Sequence, residues 1–230
     1  PAHCVFEHVY FADPASRVFG FNVHTTRYKM GQCLAKEHPA DADVVISVPD
    51  SGRCAAMGYS DASGIKYVRG FVRSHYVGRT FIQPSQRLRD LSVKMKLNVI
   101  RPSVDAKRVV VVDDSIVRGT TTLGKMRALR AAGAKEIHLR ISSPPVRWPC
   151  YFGVDFPTTK ELIASERSVE EIRQFLEIDS LGYISAEGML DCMDLPADHF
   201  CKACFTGQYP TPVDPQVGKF SQERRQLNLF

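Results

Sequence analysis

Apolar residues along the chain cluster in short blocks separated by polar, glycine-bearing stretches, and the block lengths alternate between two kinds. Asp43-Val44-Val45-Ile46-Ser47-Val48 reads as a buried strand that ends at Pro49, and Arg53 to Ala62, rich in Ala and Gly, reads as a short helix. Lys66 to Val68 reads as a second short strand. From Pro84 to Leu97 the spacing of Leu88, Leu91, Met95 and Leu97 puts an apolar side on a helix. Arg108 to Val112 is the strongest strand, and its unbroken valines predict burial on both faces. Thr121 to Ala132 reads as a helix closed by Gly133, Glu136 to Ile141 as the next strand, and Ser168 to Leu176 as a further helix. Beyond Tyr209 the chain loses its periodicity among Pro, Gln, Lys and Arg, which predicts a loose or partner-contacting tail.

This βαβα order with short connections predicts an α/β fold, a mostly parallel sheet flanked by helices. Ligands in such folds lie beyond the carboxyl ends of the strands. Two candidate loops fall there: Pro49-Asp50-Ser51-Gly52, and Asp113 to Thr121. Composition adds limits rather than detail. With 230 residues, 44% hydrophobic and 24% charged, the chain can bury a full core. Its apolar runs are far too short to span a membrane. The net charge of +5 comes without a dense Lys/Arg run interleaved with aromatics, so no nucleic-acid partner is expected. Seven cysteines, an odd number in a core-capable chain, argue for reduced thiols and a cytoplasmic setting rather than a secreted disulfide framework. The chain opens at Pro1, without a basic-then-apolar leader, and reads as a processed or excised piece.

The stretch VVVVDDSIVRGTT, Val109 to Thr121, carries the chemistry. Its second half suits an anion. A helix N-terminus offers unpaired N–H groups and a positive dipole end, Ser115, Thr120 and Thr121 add hydroxyls, and Gly119 lets the backbone come close. Neither the P-loop spacing nor the dinucleotide fingerprint is present. Asp113 and Asp114 repel anions but accept hydrogen bonds from sugar hydroxyls and can take Mg²⁺. A ribose 5-phosphate satisfies both halves. An isolated Asp-Asp pair, by contrast, would merely end a strand and cap a helix.

The same stretch resembles the phosphoribosyl pyrophosphate (PRPP) motif of the type I phosphoribosyltransferases. Reading outward, CVFEHVYFADP (Cys4 to Pro14), VPDSG (Val48 to Gly52), YVGRTFIQPSQ (Tyr76 to Gln86), ISSPPVRWPCYFG (Ile141 to Gly153) and CKACFTGQYP (Cys201 to Pro210) resemble one branch, glutamine PRPP amidotransferase. The resemblance implies a type I phosphoribosyltransferase fold with a flexible lid over residues 1–209, including a cysteine cluster, and a tail over 210–230. It implies PRPP contacts at Asp50, Ser51, Gly52, Asp113, Asp114, Ser115, Ile116, Val117, Arg118, Gly119, Thr120 and Thr121, with Mg²⁺ on Ser51, Asp113 and Asp114. The lid, Gly70 to Gln86, would close Arg73, His75, Tyr76, Arg79 and Gln83 over the pyrophosphate, with Arg73, Tyr76 and Arg79 as its catalytic members. Before Tyr76 the chain has Arg-Ser-His where that family commonly has Lys-Asn-Arg.

The implied reaction displaces pyrophosphate from PRPP by ammonia, giving phosphoribosylamine, the first step of purine synthesis. The family's glutaminase half begins with a catalytic cysteine. Cys4 is not N-terminal, so no glutaminase activity is expected from these residues, and ammonia would come free or from a separate glutaminase domain or subunit. A homo-oligomer is also implied. The CxxC at Cys201 and Cys204 alone suggests zinc, a redox pair or nothing. The resemblance adds Cys4 and Cys150, a four-thiolate set suited to a [4Fe–4S] cluster, as in the iron–sulfur branch, or less readily to zinc; spacing does not separate them. Cys33, Cys54 and Cys192 match no ligand position and read as small core residues. Two other readings share the PRPP loop: a nucleobase salvage phosphoribosyltransferase, and a regulator that binds PRPP without turnover.

Overall fold

Val109 to Val112 divide their side chains between two cores. Val110 and Val112 join one apolar cluster, Val109 and Val111 the other, and all four are fully buried. That is the two-faced burial an unbroken apolar run requires. In the computed structural model, residues 1–73, 97–156 and 158–213 are described. Four strands lie side by side in chain order and all parallel: β1 (Val44–Ser47), β2 (Arg108–Asp113), β3 (Glu136–Ile141) and β4 (Ser180–Tyr183). Burying four valines contributes roughly 6–12 kcal/mol. This exceeds the several kcal/mol it costs to desolvate the carboxylate at the strand's end.

Helices cover both faces, as the alternation predicts. On one side α1 (Val23–Glu37) and α2 (Arg53–Ser63) bring Met30, Leu34, Ala55, Ala56 and Tyr59 to the sheet. On the other, α3 (Thr120–Ala131) and α4 (Val169–Phe175) contribute Met126, Leu129 and Ile172. Ser168 caps α4 in a reciprocal box with Glu171, so the predicted boundaries hold. Among the described residues no helix is long and apolar enough to cross a membrane.

Three expectations need correction or limits. Lys66 to Val68 does not form a strand; Tyr67 makes one parallel bridge to Val45, after which the chain turns away and Gly70 lies against the Ile46 side chain. Leu97 does not end a helix but starts a strand, Leu97–Val99, which pairs antiparallel with Phe71–Arg73. The rest of the helix expected from Pro84, residues 84–96, lies outside the described residues, as does 214–230 of the expected tail. Helix α1 has no counterpart in the sequence reading. Its buried stripe includes Thr26, Arg27 and Gly31, which hide the apolar period.

Candidate active site

Register sets the site. Ser47 pairs with Val112, so the loop leaving β1 rises beside the end of β2. The Val48 N–H donates to the Val112 carbonyl at 2.9 Å, which locks the two loops together. Gly52 explains the tightness of this approach. A Cβ there would lie 2.3 Å from the Val112 carbonyl oxygen, so only glycine fits. Across from it, Asp113 and Asp114 are 3% and 6% exposed.

The two acids are held differently. Asp113 Oδ1 accepts from the Asp114 N–H at 3.0 Å, and its Oδ2 accepts from Lys125 Nζ at 3.1 Å. Its backbone carbonyl accepts from the Ser142 N–H at 3.0 Å, fixing it to the sheet. Burial raises the Asp113 carboxyl above the ordinary carboxylate range, against the pull of the Lys125 ammonium. Asp114 Oδ2 accepts from the Ser115 hydroxyl at 2.6 Å. Asp50 stands on the facing loop, paired with Arg53 at 3.2 Å and Arg73 at 3.4 Å.

Between these walls runs an open cleft of about 810 Å³. The structure brings together on it Asp50, Ser51, Arg73, Asp113, Asp114, Ser115, Val117 and Arg118 of the residues singled out by sequence. Gly52, Ile116, Gly119, Thr120 and Thr121 are not among its lining. The Ile116 side chain is 1% exposed in the core, so only its backbone is available to a ligand. Gly119 adopts φ +79° at the N-cap of α3, a left-handed conformation that admits glycine readily. Thr120 and Thr121 begin α3 and are exposed. His75, Tyr76, Arg79 and Gln83 lie outside the described residues.

Sequence reading missed several cleft residues. Thr122 and Lys125 sit three apart on α3 and both line the cleft; their helical spacing after the loop was the available signal. Phe6, Tyr10, Phe11 and Arg27 come from the N-terminal part of the chain. Arg27 is 3% exposed and donates to the carbonyls of His8 at 2.7 Å, Ala12 at 2.9 Å and Glu7 at 3.3 Å. It thereby holds the turn Glu7–Phe11 against the cleft, and no sequence pattern marks that role.

A second site gathers the four singled-out cysteines. His3–Cys4 pairs parallel with Phe200–Cys201, so Cys4 and Cys201 are register partners. The Cys204 carbonyl accepts from the N–H groups of Arg147 and Trp148, drawing in the segment that carries Cys150. Burial pushes the Cys204 thiol up, and the neighbouring Cys4, Cys150 and Cys201 push it further. Cys4 is likewise raised, first by burial, with Cys150 and Cys201 adding to it against the Phe6 backbone. Even so, among the described residues no three His, Cys, Asp or Glu side chains stand as a group that could hold one metal ion. Cys54 and Cys192 are buried, as expected of core residues, whereas Cys33 is only half-buried, its thiol donating to Glu37 Oε1 at 3.5 Å.

The phosphoribosyl transferase domain model matches residues 28–142. The amidophosphoribosyltransferase of Methanothermobacter thermautotrophicus is 51% identical over 223 residues, covering 97% of this chain and 47% of the relative. That of Mycobacterium leprae is 50% identical over 226 residues, covering 95% and 41%. Among solved structures, glutamine PRPP amidotransferase from B. subtilis complexed with ADP and GMP superposes with a TM-score of 0.85 at 50% identity, covering 93% of this chain and 48% of that one. The chain thus spans less than half the length of each of these proteins. The parallel sheet, the paired loops at its carboxyl end and the match over half of its residues agree: the chain belongs to the phosphoribosyl transferase domain family.

Proposed function

We propose that this chain carries out the phosphoribosyl transfer of an amidophosphoribosyltransferase. Ammonia attacks the anomeric carbon of PRPP, the bond from that carbon to the pyrophosphate oxygen breaks, and the amine sheds a proton to solvent. The products are 5-phosphoribosylamine and pyrophosphate. The observation that carries the reading is the twin carboxylate of Asp113 and Asp114 facing the Asp50–Ser51 loop across one cleft. About 50% identity to amidophosphoribosyltransferases over nearly the whole chain favours it over a nucleobase salvage enzyme or a non-catalytic PRPP regulator.

In this reading Asp113 and Asp114 face the ribose hydroxyls, and the loop from Ser115 to Thr121 takes the 5-phosphate on backbone N–H groups and hydroxyls. The Asp50 to Gly52 loop holds the leaving pyrophosphate, and Arg73 with Tyr76 and Arg79 closes over it to exclude water, which would waste PRPP. Ser51, Asp113 and Asp114 carry the oxygen donors that Mg²⁺ prefers, those of Asp113 being already engaged by the Lys125 ammonium and the Asp114 N–H. When bound, Mg²⁺ supplies positive charge where the departing pyrophosphate gathers negative charge. Neutral ammonia needs no strong base, so positioning and electrostatics provide the rate.

The four-cysteine set is read as a [4Fe–4S] site. A multi-iron cluster takes each thiolate on a different metal, so its ligands stand wider apart than those of one zinc ion. Burial raises the Cys204 thiol and the neighbouring Cys4, Cys150 and Cys201 raise it further, a proximity that supports one shared site for the four. Residues 1–209 carry both sites, 210–230 form a tail, and the protein works in the cytoplasm as a homo-oligomer with a glutaminase partner. The test is product formation with this chain, PRPP and Mg²⁺, using ammonium or glutamine as nitrogen donor. Phosphoribosylamine and pyrophosphate are expected from ammonium. Equal rates from both donors would overturn the assignment of glutaminase chemistry elsewhere, and no product from ammonium would overturn the transfer reaction.

A further inference from the structure

Lys125 sits on the second turn of α3, yet its side chain turns into the cleft and is only 19% exposed. Its Nζ lies 3.1 Å from Oδ2 of Asp113, whose side chain is 4% exposed. The other oxygen of that carboxylate accepts the Asp114 N–H at 3.0 Å. Both Asp113 oxygens therefore have protein partners before any ligand arrives. The other cations lining the cleft are engaged elsewhere. Arg27 serves three backbone carbonyls, Arg73 pairs with Asp50, and Arg118 pairs with Glu161 at 3.4 Å. Lys125 alone among them is bonded to one of the twin aspartates.

We propose that Lys125 is a positioning residue that acts as a built-in counter-cation: it holds Asp113 charge-paired, leaves direct metal contact to Asp114 and Ser51, and offers its positive charge to the polyanionic sugar phosphate. A buried carboxylate with no partner costs several kcal/mol, so Asp113 needs a cation beside it. A divalent ion could fill that role only when present. Lys125 fills it permanently, and it lowers the number of positive charges that must be recruited with PRPP. This assignment deepens the PRPP reading above and rests on it in part.

Two measurements test it, one of them without PRPP. In Mn²⁺ titrations of the substrate-free chain followed by electron paramagnetic resonance, Lys125→Gln frees Asp113 and tightens Mn²⁺ binding at least about fivefold, while Lys125→Arg leaves it as in the unsubstituted chain. In calorimetric PRPP titrations, Lys125→Gln weakens binding about tenfold at low Mg²⁺, and the deficit shrinks below about twofold at saturating Mg²⁺. Lys125→Arg restores the original Mg²⁺ dependence. Melting curves accompany each variant, and Lys125→Met, which keeps the unbranched stem, replaces Lys125→Gln should that variant not fold. Unchanged Mn²⁺ affinity, or a PRPP deficit that is the same at every Mg²⁺ concentration, overturns the proposal, since a purely structural lysine gives that pattern. Failure of the unsubstituted chain to bind PRPP overturns the phosphoribosyl reading instead, and the Mn²⁺ arm then decides on Lys125.

Discussion

His8 lies fully buried, its ring stacked on Phe21 at 4.3 Å and 7°. An imidazolium cannot be solvated there. Burial lowers its pKa from 6.5 to about 4, the Arg27 cation adding to this and the Val18 backbone opposing it. The sign of the consequence follows from proton counting. Between pH about 6.5 and about 4 the unfolded chain binds the proton and the folded chain does not. Stability therefore rises with pH through that window and is lost as pH falls through it, by on the order of 2–3 kcal/mol from this residue. His8→Phe keeps the ring and the stacking but removes the titration. Its urea midpoint, compared with that of the unsubstituted chain from pH 7 to pH 4, is expected to fall less steeply. Parallel decline of the two would show that His8 does not set the acid limb. The effect reaches the cleft, because Arg27 donates to the His8 carbonyl and holds the same turn. None of this is written in the local sequence. A histidine among aromatics looks the same whether its partner is a phenylalanine or a metal.

The junction of β1, α2 and β2 is the element on which the site depends, and Gly52 is its tightest point. Gly52→Ala drives a methyl to 2.3 Å from the Val112 carbonyl oxygen, a backbone atom that cannot swing aside. The start of α2 must then lift away from β2, which carries the Asp50–Ser51 loop away from Asp113. Overpacking of this kind costs about 1–3 kcal/mol. The expected outcome is a lower melting temperature together with loss of PRPP binding in calorimetry; retained affinity would mean that the two loops tolerate separation. This junction was legible because strand ends in a parallel sheet are marked by their own residues: valines stop, then acids, small residues and glycine begin. Helix α1 was not legible, since Arg27 and Gly31 occupy its buried stripe. Those residues answer to distant partners, the carbonyls of the Glu7–Phe11 turn and the backbone of α2. Lys125 stood midway. Its position was visible, but its partner Asp113 could be assigned only once α3 was seen folding back over the strand it follows.

At the scale of the whole molecule, the two described ends of the chain meet. Cys4 and Cys201 face each other across a two-residue parallel pairing, and the Val5 N–H reaches the Cys201 carbonyl at 3.3 Å. Two short strands paired only to each other are too small to be stable alone. Their order draws on the core beneath, where Val5, Phe6, Phe200 and Phe205 pack, and, on the [4Fe–4S] proposal, on the cluster held by the thiols above. Metal binding of this kind is folding free energy, because the unfolded chain cannot present the ligands together. Cys201→Ser should therefore act at a distance. On the [4Fe–4S] proposal it removes a ligand, loosens the N-terminal segment that carries Phe6, Tyr10 and Phe11 to the cleft, and so weakens PRPP binding although Cys201 does not line that cleft. For the anaerobically purified chain, about four irons per chain and a brown colour are expected. Cys201→Ser is expected to lose the iron and to melt at least about 5 °C lower, corresponding to about 2 kcal/mol in a domain of this size. Zinc in place of iron would keep the clip and change its occupant. An unchanged melting temperature after complete metal loss would show that the apolar packing of Val5, Phe6, Phe200 and Phe205 joins the two ends without help, and the cysteines would then have no part in positioning the cleft.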